Sequence, residues 1–291
     1  MKEYLNENTL TNTVAMFLAE SDELVLVVEG PHDHLLLKEF CTEELQLMHA
    51  TGGRPQVLFA AKIAYERGLS RARFLVDQDY DLYSGSTEAQ LNNVLVSDHH
   101  DCFLDLIHAD PSLLQRVIDV HCDSTRRREN LEASIPAPEA IQNEAFALAS
   151  TVAATRVVDA KRSLYLDFKR FKFGSLSVAD FDVVKIAEMI LTRSQYEGVD
   201  RQEIVLDVAS VYADIGQMKH KPVGDHDLFA AVARVMKRYG VHVSDENLRR
   251  GYILKVTGLA LSATGWYQKI QTWCESFGKT GFNFSPQALA A

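Results

Sequence analysis

Leu24-Val25-Leu26-Val27-Val28-Glu29-Gly30 contains five consecutive aliphatic residues and stops abruptly at a glutamate and a glycine. An uninterrupted apolar run of this length predicts a strand that is buried on both faces, as in a parallel sheet covered by helices. Glu29 would then lie at the carboxyl end of a buried strand. Open α/β sheets bind their ligands at that edge, so we expect the chemistry of this protein there.

Strands and helices alternate over the first part of the chain. The apolar patterns predict four strands, at residues 24–28, 45–49, 73–76 and 93–96, and four helices, at residues 10–20, 32–40, 56–67 and 102–109. This alternation indicates right-handed βαβ units. The predicted fold class is therefore α/β, with a small parallel sheet flanked by helices.

The pattern changes in the second half of the chain. Residues 123–138 are polar, contain an arginine triplet and end in Pro136-Ala137-Pro138, which predicts a linker. Beyond them the apolar residues recur with a helical period up to residue 277. We therefore expect a sheet domain with an N-terminal helix at 1–122, a linker at 123–138 and an all-helical domain at 139–291.

The composition limits the class of protein. With 291 residues and 47% hydrophobic content, the chain can bury a sizeable core. The start of the chain is polar and acidic, and no stretch approaches the roughly 20 apolar residues of a membrane span, which predicts a cytoplasmic protein. The four cysteines form no C-x-x-C pair, so we expect reduced thiols and no structural zinc site.

The formal net charge of −10 requires any nucleic-acid-binding surface to be local. Besides Arg126-Arg127-Arg128, the best candidate is the segment 161–173, which contains five cations and one carboxylate. Its candidate nucleic-acid-binding residues are Lys161, Arg162, Lys169, Arg170 and Lys172, and they alternate with Tyr165, Phe168, Phe171 and Phe173. Such a mixture suits stacking on bases and contact with phosphates. The alternative is that the aromatic rings face a core while the cations stay solvated.

A second apolar run, Phe74-Leu75-Val76, also ends in acid, with Asp77-Gln78-Asp79-Tyr80-Asp81 directly after it. If the two strands are neighbours, Glu29, Asp77 and Asp79 converge at one edge of the sheet, and carboxylates that close need a cation. Mg²⁺ and Mn²⁺ prefer oxygen ligands of this kind. Phosphodiester chemistry fits such a site best.

Two motifs together resemble the Toprim domain of topoisomerases, bacterial primases and OLD-type nucleases. They are Val28-Glu29-Gly30-Pro31-His32-Asp33 and Val76-Asp77-Gln78-Asp79, and the resemblance covers about residues 20 to 110. It implies that Glu29 acts as general acid/base or metal ligand and that Asp77 and Asp79 bind Mg²⁺ or Mn²⁺. Asp33 and Asp81 are implied as further metal ligands.

Three shorter stretches are similar to the AriB family of Toprim effectors from PARIS anti-phage defence systems. They are Ser97-Asp98-His99-His100-Asp101, Leu166-Asp167-Phe168-Lys169-Arg170-Phe171 and Asp225-His226-Asp227-Leu228. This resemblance implies a nuclease toxin that an ABC-type, AriA-like ATPase keeps inactive and that cuts transfer RNA as a homodimer after release. The chain departs from the family at Phe103, where relatives tend to carry a carboxylate that Asp105 could replace, and at Asp225, where they commonly have glycine.

Other interpretations remain open. Asp77, Asp79, Asp81 and Glu88 fall on positions 1, 3, 5 and 12 of an EF-hand calcium loop, although Leu82 stands where that loop needs glycine. The acids could also be plain caps and turns. At the level of function, the alternatives are a catalytically degenerate Toprim-like module that docks an ATPase assembly, and a DNA nuclease of OLD type.

Overall fold

A four-stranded parallel sheet organises the first part of the chain. The computed structural model describes residues 7–85, 89–129, 135–176 and 181–284. The strands are β1 (Leu24–Val28), β2 (Leu45–His49), β3 (Ala72–Val76) and β4 (Val94–Val96), and they are hydrogen-bonded in the order β2-β1-β3-β4. The predicted α/β fold with a small parallel sheet is thus confirmed.

The central position of β1 explains its uninterrupted apolar sequence. All five of its residues are buried. Val25 and Val27 belong to a core cluster with the helices α1 (Glu7–Glu20) and α3 (Gly53–Glu66). Because side chains alternate along a strand, Leu24, Leu26 and Val28 point to the opposite face. A strand covered on both faces has no solvent side on which to place polar residues.

The strand order creates a switch point between β1 and β3. The helix α2 (Pro31–Lys38) leads from β1 to β2 on one side, whereas α3 leads from β2 back across β1 to β3 on the other side. Ligands of open α/β sheets bind in the crevice outside the carboxyl ends of two such strands. The residues that follow β1 and β3 therefore lie where this topology places a site.

The chain forms two compact units. The sheet unit consists of residues 7–78, 89–109 and 256–284 of the described chain, and it includes α5 (Cys102–Ala109), α12 (Gly258–Ser262) and α13 (Gly265–Glu275). The helical unit consists of residues 79–85 and 110–255, in the described ranges. Its helices are α4 (Asp81–Ser84), α6 (Ser112–Glu129), α7 (Pro138–Arg162), α8 (Val183–Arg193), α9 (Arg201–Ile215), α10 (Asp225–Arg238) and α11 (Asp245–Ile253).

These boundaries differ from the predicted ones. Residues 79–85 and 110–122, which were predicted to belong to the sheet domain, group with the helical unit. The residues from 256 onward group with the sheet and not with the other C-terminal helices. The predicted linker at 123–138 also begins as the last turns of α6, which continues to Glu129. The apolar face that packs α6 against α7, with Leu114, Ile118 and Cys122 buried, sustains the helix into a polar segment. Arginine is a good helix former, so the triplet does not end it.

The helical unit is built around α7. This helix packs against α6, α8, α9 and α10, and its buried residues are distributed around most of its circumference. A helix that is apolar on nearly all sides belongs in a core. None of the helices in the described residues combines the length and the apolar character that crossing a membrane requires.

A buried arginine ties α10 to α11. The first residue of α10, Asp225, pairs with Arg249 at 3.0 Å, and the side chain of Arg249 is only 3% exposed. Arg249 Nη2 also lies 2.7 Å from His226 Nδ1. Since a guanidinium can only donate, His226 accepts through Nδ1. Gly224, and not Asp225 or Asp227, is the N-cap of α10. Asp225 pairs with Arg249 instead, and Asp227 pairs with Arg156 at 3.0 Å.

Replacing Arg249 with alanine should destabilise the helical unit by about 3–5 kcal/mol, because the substitution leaves Asp225 buried without its partner. Urea denaturation measures the change. Arg250→Ala is the matched control, since Arg250 pairs with Glu246 as Arg249 does but is 69% exposed, and it should cost less than about 1 kcal/mol. Equal losses in the two variants would contradict the role of the buried pair.

Candidate active site

Glu29 and Asp77 meet at the switch point of the sheet. The register pairs Val27 with Phe74, so that Glu29 is level with the last residue of β3 and Asp77 comes next. Glu29 Oε1 accepts a hydrogen bond of 2.9 Å from the backbone N–H of Asp77. The structure therefore brings together the first acids of the two motifs that the sequence analysis paired.

Asp33 lies one helical turn beyond Glu29. Gly30 is the N-cap of α2, and Pro31 occupies the first turn, where its missing N–H costs nothing. Asp33 Oδ2 accepts the N–H of Gly30 at 3.0 Å. A carboxylate in the first turn of a helix also interacts favourably with the helix dipole. The local fold thus keeps this predicted ligand in the turn that follows Glu29.

The start of α5 faces the acid at the end of β3. The backbone N–H of Cys102 donates to Asp77 Oδ1 at 3.3 Å, while Asp101 caps the helix by accepting the N–H of Leu104 at 2.9 Å. The Cys102 thiol itself is buried. Its pKa is raised well above the ordinary value, first by burial and then by the nearby carboxylates of Asp77, Asp33, Asp105 and Asp101. Four carboxylates therefore lie close enough to Cys102 to disfavour its negatively charged thiolate form.

This concentration of carboxylates matches the chemistry of a hard divalent cation. Glu29, Asp33 and Asp77 present oxygen donors, which Mg²⁺ and Mn²⁺ prefer, and a cation would offset their mutual repulsion. In the described part of the chain, no group of three or more histidine, cysteine, aspartate or glutamate side chains is already arranged to hold a metal. Each of the three acids instead accepts a backbone N–H.

Asp105 has a positioning role in this arrangement. Its Oδ2 accepts the N–H of Asp98 at 2.8 Å and the indole N–H of Trp266 at 2.9 Å, and its Oδ1 accepts the N–H of His99 at 2.6 Å. Both oxygens are thus engaged by N–H donors. These bonds give Asp105 an anchoring role, and Phe103 is itself a buried core residue. The replacement of a ligand at position 103 by Asp105 stays a prediction.

The anchoring of α13 on this edge is a feature that the sequence analysis missed. Asp98 Oδ2 accepts the N–H of Gly265 at 2.7 Å. A Cβ atom at position 265 would lie 2.7 Å from that carboxylate, so the close approach requires glycine. Ser97 Oγ in turn accepts the N–H of Gln78 at 2.8 Å. The stretch 97–101 carried a family resemblance, but nothing in its pattern indicated partners more than 150 residues away.

Asp79 and Asp81, the remaining predicted metal ligands, belong to the helical unit. Asp79 has a φ of +47°, in the left-handed region that aspartate tolerates better than most residues, and Asp81 is the first residue of α4. The strand β3 precedes this segment, whereas an EF-hand loop follows a helix. The calcium-loop alternative therefore lacks its first helix, and its residue Glu88 lies outside the described residues.

The predicted basic segment is only partly available for anions. Arg162 donates to Asp207 at 2.8 Å and to Asp200 at 3.2 Å, and Arg170 pairs with Asp167 at 2.8 Å. Within the described ranges, by contrast, Lys161, Lys169 and Lys172 have no carboxylate at ion-pair distance, and all three are exposed. Of the five cations predicted to bind nucleic acid, only the three lysines are therefore without an acidic partner in the described ranges.

The aromatic residues of the same segment divide into two groups. Phe171 and Phe173 are buried and pack edge to face with ring centres 5.2 Å apart. Phe168 is half-buried beneath the guanidinium of Arg156, at 4.1 Å. The core interpretation is confirmed for Phe171 and Phe173. Tyr165 is the exception, because 90% of its surface is exposed.

Asp105→Asn should change the pH dependence of stability. Burial raises the pKa of Asp105 to about 7, although the amides of Asp98 and His99 act in the opposite direction. The folded protein then holds a proton that the unfolded chain releases near pH 4. Asp105 therefore makes the free energy of unfolding fall as the pH rises from 4 to 7, by at most about 1.4 kcal/mol per pH unit.

Urea denaturation between pH 4.5 and 8, followed by tryptophan fluorescence, measures this slope. Asp105→Asn should flatten it, and should also lower stability by about 1–3 kcal/mol above pH 7, because the amide NH₂ must face an N–H donor. The control is Asp22→Asn, an exposed acid of the same unit, which should keep the wild-type slope. Parallel curves for wild type and Asp105→Asn would contradict the assignment.

Comparison with known proteins finds no family model that matches this chain and no curated protein that is significantly similar to it. The Toprim resemblance and the site residues therefore stay predictions, which rest on the motifs quoted above and on the geometry at the ends of β1 and β3.

Proposed function

We propose that this protein is a Toprim nuclease that cleaves phosphodiester bonds with the help of Mg²⁺ or Mn²⁺. The observation that carries the proposal is the hydrogen bond of 2.9 Å from the Asp77 amide to Glu29 Oε1. It joins the acid after β1 to the start of the acidic stretch after β3, at the switch point where such sheets bind ligands. The shared influence of Asp33 and Asp77 on the Cys102 thiol adds support.

Glu29 has the role of general acid/base in this proposal. Its carboxylate is oriented by the Asp77 amide and is partly exposed after β1, so that it can take or give a proton during attack on a phosphodiester. Asp77, with Glu29 and Asp33, would hold the cation at the edge of the sheet. Asp79 and Asp81 are further ligands that only the resemblance implies. A bound Mg²⁺ supplies neutralisation of phosphate charge and a more acidic water.

RNA, and transfer RNA in particular, is the proposed substrate. The AriB-like stretches support this choice, as do the three lysines of segment 161–172 that lack a carboxylate partner in the described chain. On the same resemblance we propose an effector of anti-phage defence in the cytoplasm, held inactive by an ABC-type ATPase. A homodimer would bring two lysine segments to one substrate, which offsets the net charge of −10.

Glu29→Gln and Asp77→Asn should each reduce cleavage of transfer RNA by at least about 10²-fold, because each removes a charge from the proposed acid–base and metal chemistry. The measurement is cleavage of labelled transfer RNA in Mg²⁺ or Mn²⁺, with duplex DNA in parallel. Glu23→Gln is the matched control, since Glu23 lies at the opposite end of β1 and undergoes the same change of charge.

Three outcomes would contradict the proposal. One is full cleavage by both site variants, which would place the chemistry elsewhere. Another is undiminished cleavage in EDTA, which would show that the reaction needs no divalent cation. The third is a folded wild-type protein that cuts neither RNA nor DNA, which would favour the binding-module alternative. Cleavage of DNA alone would replace the proposed RNA substrate with that of an OLD-type nuclease.

A further inference from the structure

Tyr165 occupies a position that folding alone does not account for. Its φ is +57°, in the left-handed region that bulky L-residues rarely adopt, and Ser163, two residues earlier, has a φ of +54°. Strain of this kind is normally offset by surrounding contacts. The Tyr165 ring gains almost none, because 90% of the residue is exposed. A glycine would adopt this conformation at a lower free-energy cost. The presence of a tyrosine here therefore points to a role of its side chain other than packing.

The loop that carries Tyr165 is firmly built. The carbonyl oxygen of Asp159 accepts the N–H groups of Ser163 and Leu164, the latter at 3.2 Å, where α7 ends. The carboxylate of Asp159 accepts the N–H group of Leu166 at 3.0 Å. The neighbours Leu164 and Leu166 are half-buried. Three amides on either side of Tyr165 are therefore held by one aspartate, and the Tyr165 ring is exposed.

Three exposed lysines flank this loop in the sequence. Lys161 lies one turn before Tyr165, and Lys169 and Lys172 follow it, all without a carboxylate partner in the residues the structure describes. Lys161 Nζ lies 5.7 Å from the centre of the Tyr83 ring. Tyr83 belongs to α4, which begins at the predicted metal ligand Asp81. Within the helical unit, the basic loop is thus next to the helix that carries one of the proposed site acids.

We propose that Tyr165 stacks on an unpaired base of single-stranded RNA while Lys161, Lys169 and Lys172 bind the phosphates beside it. An exposed aromatic ring among unpaired lysines is the combination that single-strand-binding surfaces use. A protein partner is less well matched, because lysine is depleted in protein–protein interfaces. The inference rests on the proposed nuclease function for its choice of ligand and assigns a substrate-positioning residue to it.

The test uses the full-length protein in EDTA and a single-stranded RNA decamer that contains 2-aminopurine, whose fluorescence falls when the base is stacked. The wild type should bind and quench the probe. Tyr165→Ala should weaken binding by about 5- to 150-fold and abolish the quenching, whereas Tyr165→Phe should keep both. Lys169→Ala should reduce the slope of log affinity against log salt by about 0.7, and Tyr165→Ala should leave the slope unchanged.

Two controls separate binding from folding. Tyr165→Gly should lose affinity although it relieves the backbone, with a melting temperature about 2 °C higher than that of the wild type. Tyr65→Ala, at an exposed tyrosine of α3, should bind as the wild type does.

Three results would overturn the inference. They are equal affinity of Tyr165→Ala and wild type, an absence of RNA binding by the folded wild type, and a loss in Tyr165→Ala of binding to the ATPase but not to RNA. Because the assay needs no cleavage, a protein that binds RNA through Tyr165 yet never cuts it would support the stacking role and refute the proposed nuclease.

Discussion

The hydrogen bond between the Glu29 carboxylate and the Asp77 amide depends on the parallel pairing of β1 with β3. A slip of one residue in that pairing would turn the buried aliphatic side chains to the wrong face and separate the two acids. The buried residues of β1 therefore determine the position of Glu29 relative to Asp77 as well as the packing of the core. The turn at Gly30 and Asp33 and the first amide of α5 add to an arrangement that the sheet has already set.

Several carboxylates lie at this edge of the sheet, and most of them accept hydrogen bonds from backbone amides. Asp105 shows one use of such a carboxylate, because its two oxygens take three N–H donors and fasten the turn at 98–99 and Trp266 of α13. Glu29, Asp33 and Asp77 have another proposed use, since they are partly exposed at the carboxyl edge of the sheet, where open α/β sheets bind their ligands. The same residue type thus serves anchoring and proposed chemistry, and the surrounding donors decide which.

The parts of the fold that were predicted correctly are those with strong local signals. The strands β1 and β2 and the helix α5 agree with the predicted ranges, because buried apolar runs and a capping aspartate mark their ends. The return of α13 to the sheet depends on Gly265 and Trp266 meeting acids some 160 residues earlier. No local pattern contains that information. Likewise, Arg162 looked available for phosphates until Asp207, 45 residues away, paired with it.

The central claim is that the acids after β1 and β3 form a cation site. Anomalous diffraction at the manganese edge, from crystals of the protein grown with Mn²⁺, tests it most directly. The account predicts an anomalous peak within about 2.5 Å of carboxylate oxygens of Glu29 and Asp77. A well-ordered site with no peak there, or with manganese bound only elsewhere on the chain, would contradict it.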